Sequence, residues 1–298
     1  MPNYKTHSIH GEIVFNKINK EIDIEIEHFK SYCIGPDSLI LTDYKTTEMQ
    51  HAYKTKEYFL KLAKLIKKNN LQYNKEVMAF LYGQLDHFIL DSVMHPLIYY
   101  MTENKKSNHK IKSHGLIENW IDDYTSTKYN KRELLYYKKW FIKDLKLIHL
   151  LNKLYEKVYN TKHEGIKYSF GMFATIMFDT LARTNLIKIV PLIIDGINLG
   201  DFTYKEDLKR VLPYLNLKKE TWYNPETGEK HNLSFDELWD KSIDIVIKVI
   251  EDINGYLYYD KPLTSSYILD DISWNTGLPC SKGQTLKYAK KYKNKTTA

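Results

Sequence analysis

Residues 83–118 read GQLDHFILDSVMHPLIYYMTENKKSNHKIKSHGLIE, and three four-residue intervals in this stretch restrict what the chain can become: His87 to Asp91, Asp91 to His95, and His114 to Glu118. On a helix, side chains four apart share one face, with Cβ atoms about 5–6 Å from each other. The neighbours of the first two intervals are Leu85, Phe88, Ile89, Leu90 and Val93, so this helix is apolar around most of its circumference and belongs at the centre of the fold. A buried carboxylate and imidazole without partners would cost on the order of several kcal/mol. A metal ion held between them removes that objection.

The rest of the chain supplies mainly helical patterns. Apolar residues Ile9, Ile13, Val14 and Ile18 predict an amphipathic helix over 7–20 with His7 on its first turn. Alternation of Ile22, Ile24 and Ile26 with acids predicts a short strand over 21–29, and Ile34-Gly35-Pro36-Asp37 predicts a turn. One helix is expected over 47–69, with His51 on its first turns. Asn74 caps the central helix, and Pro96 is expected to kink or end it at His95, because proline removes a backbone donor and disfavours helical geometry before it. A lysine-rich surface loop over 104–112 leads to Ser113, which can cap a helix from His114 past Trp120 to Tyr124. Further helices are expected over 131–159, 171–181, 186–197 and 205–215. A loop or hairpin follows over 221–233, and Ser234 with Glu237 has the spacing of a capping box that opens a helix to about 254. No repeat or linker divides the chain, which predicts an all-α fold with one domain over 1–260 and an extension over 261–298.

The formal charge of +7 owes much to Lys287, Lys290, Lys291, Lys293 and Lys295 in a tail that is expected to be solvated. Two cysteines, Cys33 and Cys280, are too few for a disulfide framework. The first residues lack the apolar core of a secretion signal and no stretch reaches 18 uninterrupted apolar residues, so no transmembrane segment and a cytoplasmic location are expected.

Eight of the eleven histidines precede residue 115, which locates the active half. His7, Asp37 and His51 join His87, Asp91, His95, His114 and Glu118 as possible metal ligands. Zinc takes about four ligands, so such a set can hold two or three ions if a carboxylate bridges. His10 competes with His7, and His109 with His114; His28, His149, His163 and His231 carry no comparable pattern. There is no His-Asp dipeptide, Lys167 stands where the zinc-protease helix after His163-Glu164 would need histidine, and neither a glycine-rich nucleotide loop nor a serine nucleophile elbow occurs. A multinuclear metal hydrolase remains.

His87, Asp91, His95, His114 and Glu118 together resemble the His-x-x-x-Asp, His, His-x-x-x-Glu series of the bacterial zinc-dependent phospholipase C family, which is related in fold to zinc-dependent single-strand-specific nucleases. His7 is similar to that family's N-terminal histidine, and Asp37 with His51 to its Asp and later His. WYNPETGE, SFDELW and SWNTGLPC resemble a cytosolic branch of it. The resemblance implies an all-α phospholipase C/nuclease-like domain with the metal site between helices, and three Zn2+ sites. Asp37, His51, His87 and Asp91 would hold one ion, and His95, His114 and Glu118 a second. His7 and a bridging Asp91 would hold a third. It also implies a phosphodiester substrate, phospholipid or soluble, attacked by metal-bound water, with Asp37 or a carboxylate outside the ligand set as general base. A nuclease or nucleotidase acting on nucleic acid, and a metal-stabilised scaffold without turnover, are the alternatives. Tyr99, Tyr100, Trp120 and Tyr124 could stack a base or cradle a quaternary ammonium, or pack as core and rim. One interval departs from the secreted members: Asp91 and His95 are four residues apart where those have six.

Overall fold

The computed structural model describes residues 4–18, 22–103, 114–131, 141–183, 193–194, 197–198 and 208–282. Its helices are α1 (Tyr4–Ile18), α2 (Ile26–Tyr32), α3 (Tyr44–Ala52), α4 (Thr55–Lys68), α5 (Lys75–Glu103), α6 (His114–Lys128), α7 (Leu145–Tyr159), α8 (Glu164–Arg183), α9 (Phe235–Tyr259) and α10 (Ser266–Leu269). Two antiparallel two-stranded pairs accompany them, β1 (Ile193–Ile194) with β2 (Ile197–Asn198) and β3 (Trp222–Tyr223) with β4 (Lys230–His231). The fold is all-α.

Helix α5 is the axis on which the others assemble. Asn74 Oδ1 accepts from the amides of Glu76 and Val77 at its start. From Val77 to Leu90 every residue of α5 is buried, including Gln84, Asp86 and His87. It packs against α1, α2, α6 and α9 and against the 3-10 turn Gly35–Leu39. Gly83 marks its closest approach to α2, since a β-carbon there would meet the Tyr32 backbone at 2.6 Å. At the other end α9 opens on the expected capping box, with Ser234 and Glu237 each accepting from the other's amide. The hairpin expected over 221–233 is β3–β4.

Several local expectations are corrected. Helix α5 does not end at Pro96 but runs on to Glu103, because burial of Leu97, Ile98 and Tyr100 offsets the lost hydrogen bond. Residues 22–25 form neither strand nor helix, and Ile26 opens α2; Ile22 and Ile24 pack on the core instead. The single helix expected over 47–69 is α3 and α4, divided at Tyr53 and Lys54, where Lys54 takes φ 63°. His51 therefore lies on the last turn of α3 and not on a first turn. Residues Ile142 to Asp144 are not helical, and Asp144 caps α7, which shortens the helix expected over 131–159. The helix expected over 171–181 is the second half of α8. Part of the helix expected over 186–197 is the β1–β2 pair, and 205–215 contains the 3-10 turns Leu208–Arg210 and Leu212–Tyr214. The loop over 104–112, the cap at Ser113 and the basic tail lie outside the described residues. No described helix is long and apolar enough to cross a membrane.

Candidate metal centre

Four helices and one turn bring the proposed ligands to a single place. His7 comes from α1, Asp37 from the Gly35–Leu39 turn, His51 from α3, His87, Asp91 and His95 from α5, and His114 and Glu118 from α6. Helix α1 is set by Asp122 of α6, whose carboxylate accepts from the amides of Lys5 and Thr6 and from the Thr6 hydroxyl. The same residue that starts α1 thus ties it to the helix carrying Glu118. Gly35, at φ 61°, lies so close beneath His87 that a β-carbon would overlap the ring, and this lets the turn present Asp37 beside it.

Asp91 is the hub of the cluster. Its Oδ1 lies 3.2 Å from His7 Nε2 and 3.8 Å from His95 Nε2, and its Oδ2 lies 3.1 Å from His87 Nε2 and 3.4 Å from His51 Nε2. Asp37 Oδ1 is 3.4 Å from His51 Nε2. Glu118 Oε1 is 2.6 Å from His114 Nε2 and 3.6 Å from His95 Nε2. Three groups result, each with ligand atoms mutually within 4.8 Å: His7, His87 and Asp91; Asp37, His51 and His87; His95, His114 and Glu118. All eight sequence-predicted residues are in them. The four-residue interval from Asp91 to His95 still lets His95 face both Asp91 and Glu118.

Three histidines are locked in one tautomer. Nδ1 of His87 donates to the Cys33 carbonyl at 2.9 Å, that of His51 to the Thr47 carbonyl at 2.8 Å, and that of His95 to the Trp274 carbonyl at 2.8 Å. A carbonyl can only accept, so Nδ1 carries the proton and Nε2 keeps its lone pair. Ligating histidines are oriented in this way. Burial holds His95 well below the usual imidazole range and pushes His7 down to about 3, with His87 stacked on it at 3.9 Å adding to the effect. Burial pushes the Asp37 carboxyl up to about 8, against the pull of His51.

These residues fit a metal. Both oxygens of Asp37, both of Asp91, and the Nε2 atoms of His7 and His95 are buried and make no hydrogen bond among the described residues. Left so, each such group would cost roughly 2–7 kcal/mol. Tetrahedral ligands about 2.0–2.1 Å from zinc lie roughly 3.3 Å from one another, close to the separations around Asp91. Oxygen and imidazole donors of this kind suit Zn2+.

His10, the competitor of His7, is otherwise employed. Its Nδ1 meets Asp86 Oδ1 at 2.7 Å and its Nε2 meets Ser242 Oγ at 2.8 Å, all three residues being fully buried. This has the order of a hydrolase triad, but the Ser242 hydroxyl, which also lies 2.7 Å from the Trp239 carbonyl, has no exposure, so the trio joins α1, α5 and α9. His109 lies outside the described residues.

The cluster opens on a cavity of about 650 Å³, lined among others by Lys45, His51, Tyr53, Tyr99, His114, Glu118 and Asn275. Tyr99 is stacked on His114 at 4.4 Å. Tyr100, Trp120 and Tyr124 are buried and line no part of it. Sequence reasoning did not assign the Cys33 and Trp274 carbonyls to the site. SWNTGLPC, the segment around Trp274, marked a resemblance, but nothing local in it announced a contact with His95.

Fold and cluster define an all-α protein with a buried histidine and carboxylate centre capable of holding metal. Residues 6–166 match the family described as zinc dependent phospholipase C, a match over more than half of the chain, and the protein belongs to that family. All eight candidate ligands fall within the matched residues. No curated protein and no solved structure matches the chain.

Proposed function

We propose that the protein is a Zn2+-dependent phosphodiesterase of the phospholipase C type, acting on a phospholipid or a soluble phosphodiester. The observation that carries this reading is the set of three Nε2 lone pairs, fixed by backbone carbonyls and aimed at the carboxylates of Asp37 and Asp91, at the base of an open cavity. In the family the metal is zinc, and when bound it supplies charge neutralisation for the phosphoryl group and a nucleophilic water at neutral pH.

The chain's own residues do the remaining work. Asp37, His51, His87 and one oxygen of Asp91 would hold one ion, His95, His114 and Glu118 a second, and His7 with the other oxygen of Asp91 a third. Asp91 links the groups and fixes their spacing. His51, His114 and Glu118 line the cavity and so meet the substrate's phosphate end, while Tyr99 supplies an aromatic wall. Asp37 stands behind His51. Its Oδ1 faces that imidazole, and Oδ2 is the acceptor we assign to the proton released in hydrolysis.

The test is hydrolysis by zinc-replete protein. Phosphocholine release from lecithin, or turnover of a chromogenic soluble phosphodiester, is expected, with loss in Asp91→Asn and after chelation. Mononucleotide release from single-stranded DNA without either activity would replace the reading by the nuclease one. Failure of all three, with two or more zinc equivalents bound, would leave a metal-stabilised scaffold.

A further inference from the structure

The chain beyond the family-matched residues reaches back into the centre. Residues 272–279 form a tight hairpin: Ile272 and Pro279 bridge, the Ser273 amide donates to the Leu278 carbonyl at 2.8 Å, and the Gly277 amide donates to the Ser273 carbonyl at 3.0 Å. Its tip is docked from two sides. The Trp274 amide and the Ser273 hydroxyl both donate to the His51 carbonyl, at 3.0 and 3.1 Å, which satisfies an acceptor that the end of α3 leaves open. The Trp274 Nε1 donates to Thr55 Oγ1 at 2.9 Å, at the first residue of α4.

On the other side the hairpin lies against α5 where Pro96 interrupts the helix ladder. Proline at 96 offers no amide to the carbonyl of Ser92. Gly277, at φ 66°, approaches that carbonyl so closely that a β-carbon would overlap it, and would lie 3.7 Å from Pro96 Cγ. Only glycine combines this backbone angle with this approach.

The docked Trp274 is fully buried, and it touches the centre with two different groups. Its carbonyl accepts from His95 Nδ1 at 2.8 Å. Its ring packs on His51 and His87, with centroids 5.5 and 5.7 Å away, and is backed by Phe59 and Phe88 at 5.9 and 5.3 Å. His51, His87 and His95 therefore share one neighbour that is more than a hundred residues from any of them in sequence.

We infer that the 272–279 hairpin is a working part of the metal centre, with Trp274 as a positioning residue that fixes the His95, His51 and His87 imidazoles in their ligating orientation and Gly277 as the residue that lets it dock. The inference rests on the metal-binding reading of the cluster. It assigns to the C-terminal segment a share in that cluster which the family-matched residues do not contain. Without the hairpin, His95 Nδ1 has no fixed acceptor, the ring is free to turn, and Nε2 is no longer aimed between Asp91 and Glu118. Partners of this kind are worth about 10–100-fold in metal affinity.

The experiment uses full-length protein and Co2+ as the probe, with visible absorption and chelator competition as readouts, under conditions where circular dichroism shows each variant folded. Four variants are compared with wild type: Trp274→Ala, Trp274→Phe, Gly277→Ala and, as a control for lost stability alone, Leu154→Ala in the buried face of α7. Trp274→Ala and Gly277→Ala are expected to weaken Co2+ binding about 10–100-fold and to alter the absorption bands. Trp274→Phe, which keeps an aromatic ring against His51 and His87 and loses the Nε1 bond to Thr55, is expected to hold the hairpin in place and stay within a few-fold of wild type, and Leu154→Ala to melt lower with unchanged affinity and bands. Gly277→Ala alters no side chain at the centre, so it decides the matter if Trp274→Ala does not fold. Trp274→Ala or Gly277→Ala binding Co2+ like the Leu154→Ala control overturns the inference. Wild type that binds no Co2+ overturns the metal reading as well.

Discussion

Gly35 lies against His87, close enough that a β-carbon on it would overlap the imidazole, and its φ of 61° belongs to the left-handed region. This contact lets the turn carrying Asp37 and the helix carrying His87 contribute to one ligand group. Gly35→Ala would incur the left-handed backbone cost, about 1–2 kcal/mol, and would also push the ring or the turn aside. The expected outcome is a melting temperature lower by several degrees and loss of bound zinc relative to wild type, measured by calorimetry and elemental analysis. Unchanged zinc content would separate the turn from the centre.

Asp91 faces four imidazoles from α1, α3 and its own helix, so its removal should act on all groups that share it. Anything that binds only the folded state stabilises it, by about 2.7 kcal/mol at a free concentration 100 times Kd. Zinc added to chelator-stripped wild type is therefore expected to raise the melting temperature by several degrees. In Asp91→Asn most of that rise should vanish while the metal-free variant melts close to metal-free wild type. A full zinc-induced rise in Asp91→Asn would remove Asp91 from its central place.

The parts of this arrangement that could be read in the sequence are those written into local spacing. His87, Asp91 and His95 sit in a run of apolar residues, and such a helix has to be central, so both its burial and its ligand face follow from period alone. His51 was misplaced along its helix because the break after α3 is made by Lys54 in a left-handed conformation, a residue type that gives no turn signal. The end expected at Pro96 failed for the opposite reason, since tertiary burial of the residues after it outweighs a clear local signal. The hairpin at Trp274 was illegible as part of the centre, because its hydrogen bond to His95 spans 179 residues. No local pattern encodes a contact of that range.

The capping box at the start of α9 makes a prediction about acid. Hydrogen bonds from Lys219, then from the Ser234 amide, hold the Glu237 carboxyl down to about 2. A carboxyl whose folded value lies below its unfolded one adds stability that is fully present above the unfolded value, ordinarily near 4.3, and is lost as pH falls through the folded value. The difference in melting temperature between wild type and Glu237→Gln should be constant from pH 6 to 8 and shrink steadily as pH drops from about 4.5 toward 2. A difference independent of pH over that range would mean that the charge of Glu237 contributes nothing to the cap.

Tyr99 and Trp120 were equal candidates for gripping a substrate, and their surroundings now separate them. Tyr99 is partly exposed, lines the cavity, and lies over the His114 ring with an interplanar angle of 21°. Trp120 is 8% exposed, packs beside Tyr214 and carries the Arg210 guanidinium over its face. Removing an aromatic wall from an open cavity should weaken binding of ground state and transition state alike, which raises KM and spares kcat. Removing a buried tryptophan should cost about 3–5 kcal/mol of stability. Tyr99→Leu is accordingly expected to raise KM several-fold for a phosphodiester with an aromatic or quaternary ammonium group, with kcat and melting temperature nearly unchanged. Trp120→Ala is expected to melt at least ten degrees lower, with KM near wild type wherever the variant is folded. The comparison is made by steady-state kinetics and thermal unfolding on the two variants side by side, and an exchange of their effects would place the substrate beside Trp120 instead of in the cavity lined by Tyr99.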